Sequence, residues 1–258
     1  MSTPNPHLGV SSWSLHRSLE RGDFTLLELP ALTAAHGLNQ LEICHFHFAS
    51  TDPAYLAELR QAIEKAGITF YTLLMDAGDI THTDAAKRDS DFAEIARWIG
   101  IASECGAQNI RVIAGDTPPS DESLRLSANG FLELAKIGDE KNVKIVVENW
   151  HALLDRPADV LKFLELTEGK VSLKLDFGNW KGDRKYADLP QIASFAASTH
   201  AKADFPQPGQ INLPDFTHCL DICKAANFAG PHILIYDSPG DEWASLDEMR
   251  EIVLPYLA

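Results

Sequence analysis

The chain has few cysteines, no long apolar run and no surplus of basic residues. Its four cysteines, Cys44, Cys105, Cys219 and Cys223, form no CxxC pair and no framework spacing, which argues against a disulfide scaffold. Cys219 and Cys223 lie one helical turn apart and are expected to pack as small apolar groups. No stretch approaches the roughly 18 consecutive apolar residues of a membrane span. Met1–Leu8 lacks both the basic and the apolar region of a secretory leader, so the expected location is the cytoplasm, with no membrane partner. Lys and Arg number 22 against 37 Asp and Glu, a net charge of −15. Nucleic-acid binders draw affinity from neutralised phosphates, so this balance speaks against a nucleic-acid partner and against an anionic membrane surface.

The composition is that of a folded chain. Its 258 residues, 45% hydrophobic and 23% charged, exclude disorder and collagen-like repeats. Short β-branched runs begin near Leu8, Gln40, Thr69, Asn109, Val143, Val171, Ser198 and His232. They recur at roughly 30-residue intervals, as crossover helices between parallel strands require. Between them, Phe92, Ile95, Ile99 and Ala102 fall at helical spacing, as do Val160, Phe163 and Leu164. Thr51-Asp52-Pro53 opens a helix striped by Tyr55, Leu56, Leu59 and Ile63, and Gly67 ends it. Asp215–Ala226 and Trp243–Tyr256 read as further helices. No Ser/Gly linker interrupts the eight units. The pattern predicts an α/β chain folded as one (β/α)₈ TIM barrel domain over residues 1–258. A doubly wound sheet would more often carry a Gly-rich loop after its first strand, where this chain has SSWSLHRS.

In a barrel, polar residues at the C-terminal strand ends line the site. Strand alternation puts His45 and His47 of the second strand on one face, where imidazoles bind metal, contact a polyol or shuttle protons. The bland alternative is one buried and one solvated histidine. Asp76 follows the third strand and is a candidate for substrate hydroxyls, although Asp-Ala-Gly-Asp also forms turns. Arg111, between Ile110 and Val112 on the fourth strand, should point inward, where it needs a carboxylate or an anionic ligand. Glu148, Asn149 and Trp150 end the fifth strand. Lys174, Asp176 and Asn179 end the sixth, and His200 and Lys202 lie on the seventh. Glu148, Asp176 and His200 thus stand on three successive strand ends, a donor set suited to Mn²⁺, Mg²⁺, Co²⁺ or Zn²⁺. Lys174, Arg111 and Lys202 offer the alternative of neutralising these carboxylates without metal. Trp13, Trp150, Trp180, Phe46 and Tyr236 also fall near strand ends, where rings can stack on a sugar or simply anchor the core.

The segments GVSSWSLH, VVENW, LKLDFGNW and HAKADF resemble those of the xylose isomerase-like TIM barrels, which include sugar isomerases, epimerases, dehydratases and the endonuclease IV group. The resemblance spans essentially the whole chain. It implies a divalent metal held by Glu148, Asp176 and His200. A fourth ligand, a Glu on the eighth strand, is missing: Ile235 stands in its place and Asp237 lies one pleat further on. Asn179 stands where the family often has His. The resemblance further implies abstraction of a proton alpha to a carbonyl of a small carbohydrate, with Glu148 as base; the opposite-face acid is open between Asp237, His45 and Lys202, and Lys174 and Asp237 join Glu148 in the candidate catalytic set. His45, His47, Asp76, Arg111, Asn149, Trp150, Asn179 and Lys202 are the candidate substrate contacts, and a homo-oligomer is a further expectation. Isomerisation or epimerisation is the leading expectation. The alternatives are dehydration of a keto-polyol, phosphodiester cleavage in damaged DNA, and sugar binding without turnover.

Overall fold

A computed structural model describes residues 5–182 and 184–257. Eight strands alternate with helices along the chain: β1 (Asn5–Ser11), α1 (His16–Arg21), α2 (Leu29–Ala35), β2 (Leu38–Cys44), α3 (Pro53–Ala66), β3 (Thr69–Met75), α4 (Ala85–Cys105), β4 (Asn109–Val112), α5 (Asp121–Lys141), β5 (Lys144–Glu148), α6 (Pro157–Leu166), β6 (Ser172–Asp176), α7 (Arg184–Ile192), β7 (Ala196–Lys202), α8 (Leu213–Ala225), β8 (His232–Ile235) and α9 (Glu242–Val253). Each strand pairs in parallel with the next, and β8 returns to β1 through Leu8–His232 and Val10–Leu234, closing the barrel. Closure excludes the doubly wound sheet.

Local chemistry accounts for the element ends. Asp52 precedes Pro53 at the start of α3, and Gly67 takes the left-handed conformation at its end, φ 67°. A reciprocal Ser120–Ser123 capping box opens α5. The last helical turn differs from the expectation: α9 stops at Val253, and Leu254–Tyr256 continue as a 3₁₀ turn, with Pro255 unable to donate the next bond. The four cysteines are buried and unpaired, as small core groups. Among the described residues no helix is long and apolar enough to cross a membrane.

The strands are buried on both faces because helices cover one and barrel-filling side chains the other, and the inward side chains include the charged Glu42, Arg111 and Lys174. One glycine is required by a close approach. A Cβ on Gly9 would sit 2.4 Å from the Gln40 carbonyl oxygen and 2.8 Å from Ile233 Cδ1, so β1 can lie between β2 and β8 only without a side chain there.

Candidate active site

The C-terminal strand ends enclose a cavity of about 410 Å³, with Glu148, Asp176 and His200 in its wall. Glu148 and Asp176 are the last residues of β5 and β6, and His200 pairs in register with Asp176 across β6 and β7. Their donor atoms lie within 4.8 Å of one another, and all three side chains are buried. Asp176 Oδ1 accepts hydrogen bonds from the backbone amides of Gly178 at 2.6 Å and Asn179 at 2.7 Å. That leaves Oδ2 facing His200 Nδ1 at 3.5 Å. Glu148 Oε1 accepts from Asn179 Nδ2 at 2.7 Å, while Oε2 faces Arg111 Nε at 3.1 Å and His200 Nδ1 at 3.5 Å.

Arg111 finds two carboxylates. Its Nη1 lies 2.5 Å from Asp76 Oδ1, and its guanidinium stacks over the Trp150 ring at 4.9 Å. No anionic ligand is needed to balance it. Burial pushes Glu148 up, but the charges of His200 and then Arg111 outweigh that and hold it well below the usual carboxylate range. Burial likewise lowers His200; Glu148 and Glu42 oppose this and raise it to about 10.

The sequence reading missed Glu42. This β2 carboxylate is fully buried, accepts from His200 Nε2 at 2.7 Å and pairs with the Lys174 ammonium. Burial pushes it up, yet Lys174 and then His200 bring it down to about 2. The signal was present: Glu42 stands between Leu41 and Ile43 as Arg111 stands between Ile110 and Val112.

Several expected site residues sit elsewhere. Lys174 is wholly enclosed, does not line the cavity and is paired with Glu42 rather than with Glu148 or Asp176. Asn149 is fully buried and braces two strands: its Oδ1 accepts from the Asp176 amide at 2.7 Å and its Nδ2 donates to the Asp176 carbonyl at 3.2 Å. β2 ends at Cys44, so His45–His47 form a 3₁₀ turn and strand alternation no longer applies. His45 Nδ1 accepts from the Asp76 amide at 3.2 Å, and His47 Nδ1 bonds Ser12 Oγ at 2.8 Å. Phe46 lines the cavity between them; the two histidines do not. Trp180 and Tyr236 are core side chains, whereas Trp13 and Trp150 do face the cavity. Asp76, Arg111, Asn179, Lys202 and Asp237 line it as well. Lys202 and Asp237 lie 3.4 Å apart and are partly exposed, with Arg17 3.7 Å from the same carboxylate. Ile235, in place of an eighth-strand carboxylate, is 4% exposed and lines the wall.

The donor set fits a divalent cation in charge as well as geometry. Around the group, Glu42, Asp76, Glu148 and Asp176 face two permanent cations, Arg111 and Lys174. Two negative charges remain if His200 is neutral. Protonated His200 cancels one, and a divalent cation beside neutral His200 cancels both.

A search of curated protein sequences returned no match. Solved structures do resemble the chain. An L-ribulose 3-epimerase superposes with a TM-score of 0.75 at 18% identity, covering 97% of this chain and 94% of its own. A 3-keto-D-glucoside 4-epimerase from E. coli gives 0.70 at 16% identity over 96% and 100%. The probable 3-DHS dehydratase of Bacillus anthracis gives 0.70 at 12% over 95% and 98%. At such identities the likeness is one of fold. The family model described as xylose isomerase-like TIM barrel matches residues 30–252. The chain belongs to the xylose isomerase-like TIM barrel family.

Proposed function

We propose that this protein is a sugar isomerase or epimerase that removes the proton alpha to a carbonyl of a small carbohydrate, assisted by a divalent metal. The observation that supports this reading is the buried Glu148, Asp176 and His200 group opening onto a cavity walled by Trp13 and Trp150. The solved structures it resembles include an L-ribulose 3-epimerase and a 3-keto-D-glucoside 4-epimerase.

Glu148 is the base. The charges beside it keep it ionised, Asn179 holds one oxygen, and Arg111 holds the other. A metal held by Glu148, Asp176 and His200 would polarise the carbonyl and stabilise the oxyanion that develops as the proton leaves. Trp150, fixed against the Arg111 guanidinium, offers an aromatic face to the sugar ring. Ile235 has no proton to give, so the returning acid falls to the pair at the mouth, where the Lys202 ammonium, held 3.4 Å from Asp237, carries the proton.

That same isoleucine favours dehydration as the second reading. In dehydration one carboxyl group suffices: Glu148 takes the alpha proton, the carbon–carbon double bond forms, and the protonated Glu148 passes its proton to the departing beta-hydroxyl, which leaves as water.

The test is a panel of ketoses, keto-polyols and their phosphates incubated with metal-supplemented protein in D₂O, followed by NMR and mass spectrometry. Deuterium at the carbon alpha to the carbonyl, with an isomeric product, is expected. A product lighter by one water would select the dehydratase reading. Glu148→Gln should abolish exchange, and exchange at the wild-type rate in that variant would overturn the assignment.

A further inference from the structure

Glu42 contributes no atom to the cavity wall, yet it is one of the most completely enclosed charges in the described chain, and both its oxygens are engaged. Oε2 lies 2.7 Å from His200 Nε2, and Oε1 receives the Lys174 ammonium. Glu42 is at the middle of β2, Lys174 on β6 and His200 on β7, so the three close a bridge through the barrel interior. A buried ion pair alone needs no imidazole. The imidazole turns its Nε2 to Glu42 and its Nδ1 to the two cavity carboxylates, Glu148 and Asp176, each 3.5 Å away.

Because this rests on the metal reading of Glu148, Asp176 and His200, it concerns how that group is prepared. We propose that Glu42 is the positioning residue that presents His200 to a divalent cation, with Lys174 holding Glu42 in place. A carboxylate accepts but does not donate, so the Nε2 facing Glu42 carries the proton. Nδ1 faces Glu148 and Asp176, and a divalent cation binding among them displaces the Nδ1 proton and takes the lone pair left there, while Nε2 keeps its proton toward Glu42. The ring is fixed in both tautomer and orientation.

The variant Glu42→Gln alone leaves the Lys174 ammonium buried without a counter-charge, which threatens folding. The decisive variant is therefore Glu42→Gln combined with Lys174→Met, which removes both charges together. Two readouts are made on purified protein stripped of metal. The first is Mn²⁺ and Zn²⁺ affinity by competition with a chelator, where the double variant should bind about 10–100-fold more weakly than wild type. The second is the ¹⁵N signature of the His200 ring in the Zn²⁺-loaded wild type, where Nε2 should carry the proton and Nδ1 the metal. The ring signature does not respond to a merely structural ion pair.

Affinity of the folded double variant within twofold of wild type overturns the proposal. So does a wild-type ring that binds Zn²⁺ through Nε2. If the double variant does not fold, the wild-type ring signature alone decides. A wild type that binds neither ion removes the metal reading itself, an outcome distinct from intact binding in the double variant.

Discussion

Arg111 is the side chain whose loss should be felt most in both stability and metal response. It is 3% exposed, and its guanidinium serves Asp76 and Glu148 together. Replacing it with Met keeps much of the stem but leaves two carboxylates facing each other without their shared cation. Breaking a buried pair by removing one partner costs about 3–5 kcal/mol. Loss of the cation–π contact with Trp150 adds about 1 kcal/mol. At about 2–4 °C per kcal/mol for a chain of this size, metal-free Arg111→Met should melt roughly 8–24 °C below wild type. The variant also deepens the negative charge around Glu148, so Mn²⁺ should raise its melting temperature more than it raises that of wild type. Asp76→Asn is the control: Asp76 is partly exposed, at 18%, and the Arg111–Glu148 contact survives, so the loss should be smaller. Circular-dichroism melts of EDTA-stripped protein, with and without Mn²⁺, measure all three. A melt for Arg111→Met within about 2 °C of wild type would refute the claim that this guanidinium neutralises the site.

Wild-type protein saturated with Mn²⁺, Co²⁺, Mg²⁺ or Zn²⁺ at about 100 times the Kd should gain about 2.7 kcal/mol, and Asp176→Asn should lose that gain; an equal shift in the variant would place the ion elsewhere. Gly9→Ala should destabilise by about 1–3 kcal/mol, because its Cβ would meet the Gln40 carbonyl, and denaturant titration would detect it. His232, buried and bonded through Nδ1 to Thr199 Oγ1 at 2.8 Å, is pushed down to about 4, chiefly by burial. The unfolded chain therefore takes up this proton first. The contribution is complete above an unfolded pKa of about 6.5 and is lost as pH falls toward 4, up to roughly 3 kcal/mol. Stability measured across that window should fall less steeply in His232→Gln, and identical slopes would count against it.

The barrel was legible because parallel strands buried on both faces stand out as short apolar runs, and because a crossover helix sets their spacing. Arg111 was legible for the same reason: a charge between Ile110 and Val112 has to face inward. What that charge meets was not. Asp76 and Glu148 approach it only once β3, β4 and β5 lie side by side. Glu42 carried the same signal between Leu41 and Ile43, but its partners lay beyond sequence reasoning, since they are 132 and 158 residues away and meet it across the barrel interior. His45 and His47 misled because alternation holds only while a strand continues, and β2 stops one residue before them.

The sequence by itself determined the eight-unit barrel, the burial pattern of its strands and the presence of Glu148, Asp176 and His200 at three successive strand ends. Those are consequences of local periodicity and of chain order. Only the tertiary structure decided how the charges are shared: Lys174 with Glu42, Arg111 with Glu148 and Asp76, His200 between Glu42 and the cavity carboxylates, and Asn149 as a brace rather than a contact. Electrostatic partnership depends on distance and burial. Both are set when the barrel closes, not when the chain is written.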